Sequence, residues 1–122
     1  MSILIVHSAC AADGSAPAIA RALVEERLAA CVSVLPGMYS TFHWRGETHV
    51  DEEVMLVIKT TREGYPALAA RLLELHPYEL PEIIAVDVSI AHAPYAAWVA
   101  HQVQPPQGSP ASGEPTENGV LP

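Results

Sequence analysis

The order of elements legible in this 122-residue chain predicts an α+β fold: strand, helix, strand, strand, helix, strand, then one extra helix. That is the split βαβ pattern, a four-stranded antiparallel sheet with two helices on one face. Three observations carry it. Two segments show helical apolar periodicity, and four segments read as strands. Between the last of those helices and the last strand, Pro77 and Pro81 push His76 and Leu80 out of helical geometry.

The first strand runs from Ile3 to His7, a continuous apolar run rich in β-branched residues. Asp13 to Pro17 marks a helix start, with Ser15 as N-cap and Pro17 in the first turn. The helical stripe that follows is Ala16, Ile19, Ala20, Leu23, Val24 and Leu28. Cys31 to Leu35 is strand-like and resumes at Met38 to Trp44 after Pro36-Gly37, the signature of a bulge or bend. Arg45-Gly46-Glu47 forms a turn, and a third strand extends from about His49 to Thr61. These two strands make a long hairpin. Tyr65, Leu68, Ala69 and Leu72 give the second helical stripe. Glu82 to Ser89 reads as the fourth strand, and Pro94 opens the extra helix.

Composition bounds the function. Formal charge is −8, and the basic side chains number six, of which Lys59 is the single lysine. Such a balance repels phosphate backbones, so nucleic acid is excluded as a partner, while cations are compatible. No run is long and apolar enough for a membrane span, and the start shows no signal-peptide pattern. Cys10 and Cys31 form no C-x-x-C and are expected as free thiols in a cytoplasmic protein, Cys31 buried and inert. Residues 1–103 are read as one domain. Residues 104–122, with five prolines, three glycines and no aromatic residue, are read as a disordered tail.

One local pattern breaks the simple scheme. In Val54-Met55-Leu56-Val57-Ile58 and in Ile83-Ile84-Ala85-Val86 both faces of the strand are apolar. Two crossover helices cover only one face, so the other must be covered by the extra helix, by another copy of the chain, or by both. An oligomer is the expectation.

Several separated blocks then resemble the CutA family of divalent-cation-tolerance proteins. They are Arg27 to Gly37, Ser40 to Trp44 with Gly46, Asp51-Glu52-Glu53 ahead of Val54, Ile58 to Arg62, and His76 to Ile84. The resemblance runs in order from Ile3 to about Val103. It implies a ferredoxin-like protomer, a homotrimer similar in architecture to the PII signal proteins, and binding of copper or other divalent cations. It implies no catalytic reaction and no required cofactor. After the first strand the family often carries a Cys-Thr-Ala-Pro-like turn. Here the segment is His7 to Gly14, with histidine where that thiol would fall and Cys10 one turn later.

His76 with His7 or Cys10 is accordingly the metal candidate, since imidazole and thiolate suit copper and zinc. The plainer reading has His76 closing its helix C-terminus, where an imidazolium meets the helix dipole favourably. Lys59, Tyr78, Glu79, Glu82 and Trp44 are the candidates for an inter-subunit cleft. Lys59 needs a carboxylate, and Glu79 or Glu82 are the expected partners. Such a cleft would bind a small metabolite or anion, as in a PII-like regulatory trimer, or merely hold the trimer together. His43 and His49 flank the hairpin turn and are weighed as a cross-strand cation pair against solvated edge residues. Asp51-Glu52-Glu53 is read as a solvated strand entrance.

Overall fold

The computed structural model describes residues 2–104. Residues 105–122, and with them nearly all of the expected tail, lie outside the described residues. The elements are β1 (Ile3–Ala11), α1 (Ala16–Glu25), β2 (Cys31–Trp44), β3 (Glu47–Thr61), α2 (Tyr65–Leu75), β4 (Ile84–Asp87) and α3 (Ala93–Gln102). The four strands form one antiparallel sheet in the order β2-β3-β1-β4. The expected element order is reproduced.

Strand alternation sorts the side chains. Leu4, Val6 and Cys10 of β1 lie opposite Thr60, Ile58 and Val54 of β3, and this face meets both crossover helices. Ile19 and Leu23 of α1 and Leu68 and Leu72 of α2 complete that core, and Val6, Leu23, Leu56, Ile58, Leu68 and Leu72 are fully buried. Burying each of these larger side chains is worth about 1.5–3 kcal/mol relative to exposure, which makes this cluster the main stabiliser.

The opposite alternation holds Ile3, Ile5, His7, Met55, Val57, Lys59, Ile84 and Val86. At one end α3 covers it: Val99 and Val103 pack with Ile3 and Ala30 in a second, smaller cluster. Arg27 fixes that helix, donating from Nε to the Gln102 carbonyl at 2.7 Å and from Nη2 to the His101 carbonyl at 3.2 Å. Beyond α3 this face is open, with Leu35, Ile84 and Val86 exposed at 48%, 54% and 54%.

The hairpin keeps its expected irregularities. The β2–β3 register shifts between Leu35 and Met38, and Gly37 adopts φ +84°, a left-handed conformation that favours glycine. At the tip Trp44 pairs with Glu47, leaving Arg45 (φ 52°) and Gly46 (φ 84°) as a two-residue turn of the primed type that matches strand twist.

Several local details differ from expectation. β1 continues past His7 to Ala11 because Ser8 to Ala11 pair with Leu56 to Glu53 of the long hairpin. β4 shrinks to Ile84–Asp87 because its ladder reaches only His7 of β1. Ser15 does occupy the N-cap position, but its hydroxyl donates to Asp13 Oδ1 at 2.7 Å and caps nothing. Cys10, not Cys31, is the fully buried thiol; Cys31 is half-buried, and both are free.

Candidate functional site

The segment between α2 and β4 organises the site. Its two prolines hold it extended, so it crosses the end of β1 beyond the last β4 pair. His76 ends α2: its backbone N–H bonds to the Leu72 carbonyl at 2.9 Å, and its own backbone is extended. The ring is buried. Nδ1 accepts the Tyr78 backbone N–H at 3.2 Å, so Nε2 carries the ring proton and donates it to the Ala9 carbonyl at 2.8 Å. His76 therefore supplies a hydrogen bond to β1 where β4 no longer does, and the expected imidazolium at a helix end is replaced by a ring with both nitrogens engaged.

Cys10 Sγ lies 3.7 Å from the same Nε2. Burial, with the charges of Glu53 and Asp13 adding to it, pushes the Cys10 thiol up to about 11, so it stays protonated near neutrality. Of the three metal candidates, His76 and Cys10 come together. His7 does not: it pairs with Val57 and Ile84 on the opposite face of the sheet. Among the described residues no group of three His, Cys, Asp or Glu side chains is placed to hold a metal ion.

Next to this pair, the hairpin tip and the 78–82 segment enclose a cleft of about 740 Å³. Trp44, Tyr78, Glu79 and Glu82 line it together, as four of the five cleft candidates. Lys59 is elsewhere. It lies six positions along β3 from Glu53, roughly 20 Å at strand spacing, and its amine is 4.0 Å from Cys31 Sγ. Neither Glu79 nor Glu82 is its partner. The partner of Glu79 is Arg45, whose Nη2 donates to both carboxylate oxygens at 2.9 and 3.1 Å. A cleft for anions thus lacks the lysine it was expected to use.

Glu53, read from sequence as part of a solvated entrance, is buried and accepts the Tyr78 hydroxyl on Oε2 at 2.6 Å. Burial first, then the neighbouring Glu53 carboxylate, raise the Tyr78 ionisation well above the ordinary tyrosine value. The alternation gave no signal for Glu53: it shares the phase of half-buried Met55 and Val57 on the face left open beyond α3, and its hydrogen-bond partner Tyr78 is 25 positions away. Arg45 gave none either, because its partner is 34 positions away. His43 and His49 do not face each other. The register sets His49 against Phe42, on which it stacks at 5.5 Å, and His43 against Thr48.

Similarity to known proteins agrees with this geometry. A family model described as "CutA1 divalent ion tolerance protein" matches residues 4–102. A divalent-cation tolerance protein CutA of Thermus thermophilus is 47% identical over 81 residues, covering 66% of this chain and 79% of that protein. Protein CutA of Mus musculus is 42% identical over 84% of this chain, which spans only 57% of that longer relative. The crystal structure of CutA from Xylella fastidiosa superposes with a TM-score of 0.82 at 42% identity, covering 85% of this chain and all of the other. The α+β architecture of a four-stranded antiparallel sheet with three helices is thus that of a shared fold, and the chain belongs to the CutA1 divalent ion tolerance family.

Proposed function

We propose that this chain acts as a CutA-type divalent-cation tolerance protein: a cytoplasmic binding protein, not an enzyme, with a ferredoxin-like protomer in a PII-like homotrimer that holds copper or another divalent cation weakly. The observation that carries the assembly is the open sheet face. Ile84 and Val86 of β4 stand more than half exposed, and half-buried Ile5, Met55 and Val57 lie on the same face between them and exposed Leu35 on β2 at the opposite edge of the sheet. A contiguous apolar patch of this kind marks an interface, and at about 25 cal/mol per Å² its burial rewards association. Two free cysteines suit a reducing compartment, and among the described residues no helix is long and apolar enough to cross a membrane. Sedimentation at micromolar concentration tests the assembly, with a trimer mass expected; a stable single chain would refute it.

The weakness of the cation site follows from its donors. Cys10 and His76 are soft ligands of the kind copper favours, and within one chain they form a pair without a third member. The thiol must lose a proton it holds up to about pH 11, and His76 must give up its bond to Ala9. His7 faces the open sheet surface, where only a neighbouring copy could bring it a co-ligand. Calorimetric titration with Cu²⁺ should show a weak site that His76→Ala removes. Equal binding by the two proteins would take His76 out of the role.

A further inference from the structure

We infer that Lys59 of one copy seats its ammonium against the carboxylates at the hairpin-tip cleft of the next, so that contact between copies runs head to tail. This pairing rests on the assembly proposed above and names the residue that the neighbour contributes.

The arginines are satisfied within the chain. Arg21 is held by Glu25, Arg27 by the carbonyls that end α3, Arg45 by Glu79, Arg62 by Asp87, and Arg71 by Glu26 and Glu74. Lys59, the single lysine, has no carboxylate partner among the described residues, and its amine lies 4.0 Å from Cys31 Sγ. It shares the alternation of Met55 and Val57 on the open face, where Ile5 of β1 is its register partner and Val86 of β4 lies beyond. A second copy laid over this face takes the ammonium out of water. Burying it unpaired would be strongly unfavourable, so the copy that covers it must bring a carboxylate.

Carboxylates without a cation stand at the other end of the same face. The β3 alternation leads from Lys59 to Glu53 and Asp51, and Ala9 of the cleft continues the row of Ile5 and His7 on β1. Asp51, Glu53 and Glu82 line the cleft, and none of the three forms an ion pair among the described residues. His43 and His49 line it too. His49 donates to the Trp44 carbonyl at 3.3 Å and stacks on Phe42, and neither histidine forms an ion pair among the described residues. Asp51 is eight positions from Lys59, roughly 27 Å along the strand, beyond the reach of a lysine within one chain.

The face therefore has its unpaired cation at one end and its unpaired acids at the other. A neighbour satisfies both when its cleft end meets the Lys59 end. Contact between unlike patches is heterologous, and it closes into a ring when the rotation allows, as in a trimer. Lys59 and Glu82, apart within one chain, then meet between copies.

Because the chain has one lysine, zero-length carbodiimide crosslinking followed by mass spectrometry reads the contact directly. Links from Lys59 to Asp51, Glu53 or Glu82 are expected in covalent dimers and trimers and not in the single-chain band. Lys59→Glu should weaken association about 100-fold in sedimentation while keeping helical and strand content. Adding Glu82→Lys or Asp51→Lys to that variant should restore most of the loss. If Lys59→Glu folds poorly, the crosslink in the unaltered protein carries the result. A trimer whose Lys59 gives none of these links, undiminished association of Lys59→Glu, or restoration by neither reversal overturns the pairing and leaves the assembly standing. A single chain in sedimentation refutes the assembly and the pairing together.

Discussion

The Tyr78 hydroxyl donates to Glu53 Oε2 at 2.6 Å, joining the segment before β4 to the base of the hairpin. One hydrogen bond to a buried carboxylate thereby sets the spacing of the two walls of the cleft.

Tyr78→Phe removes that donor and leaves the Glu53 carboxylate short of a partner. We expect a loss of about 1–3 kcal/mol, read from chemical denaturation. The bond also predicts a pH dependence. The folded state raises the Tyr78 ionisation from its ordinary value of 10.0, so the contribution is complete below about pH 10 and is lost as pH rises beyond it. The gap between wild type and Tyr78→Phe should narrow in strong alkali, and a gap independent of pH would contradict the assignment.

Cys10 should be chemically silent in the native protein. In a Cys31→Ala background, a thiol reagent at pH 8 should react only after denaturant is added, because the thiol is fully buried and protonated up to about pH 11. By the same shift, Cys10 favours the folded state below pH 9, its ordinary value, and that preference disappears between pH 9 and 11. Rapid labelling of the folded protein would show that the α2–β1 junction opens readily.

His76→Ala orphans the Ala9 carbonyl and the Tyr78 N–H together and leaves a cavity at the end of β1. A destabilisation on the order of 3 kcal/mol is expected from thermal or urea unfolding. Hydrogen exchange should speed up first at Tyr78 and along the end of β1.

Gly64 precedes α2 with an ordinary backbone conformation, yet a Cβ there would lie 2.7 Å from Val103 Cγ1 and 3.1 Å from Thr61 Oγ1. Gly64→Ala should therefore cost about 1–3 kcal/mol by crowding α3 off the sheet. The cost should fall in a Val103→Ala background, a coupling that a double-mutant cycle measures. Additive effects would place the strain elsewhere.

Val86→Glu puts a charge on the β4 edge of the open apolar face, at a position already 54% exposed in the single chain. The protomer should keep its helical and strand content while light scattering reports smaller particles. An unchanged assembly would move the interface off this face.

The sequence by itself determined the elements and their order, because apolar periodicity, the Pro36-Gly37 interruption and the two prolines after His76 act on the chain within a few residues of themselves. It also determined that the two crossover helices could not cover both sheet faces, since that follows from counting apolar strand faces against helices. Only the tertiary structure decided which polar groups meet. His76 and Ala9 are 67 positions apart, Tyr78 and Glu53 are 25, and Arg45 and Glu79 are 34. Strand parity separated His7 from Cys10, and strand length carried Lys59 away from Glu79, so two expected groupings dissolved. Propensity is local, whereas a hydrogen bond between distant segments depends on register and on the exact path of a loop. Those are fixed by packing of the whole sheet against its helices.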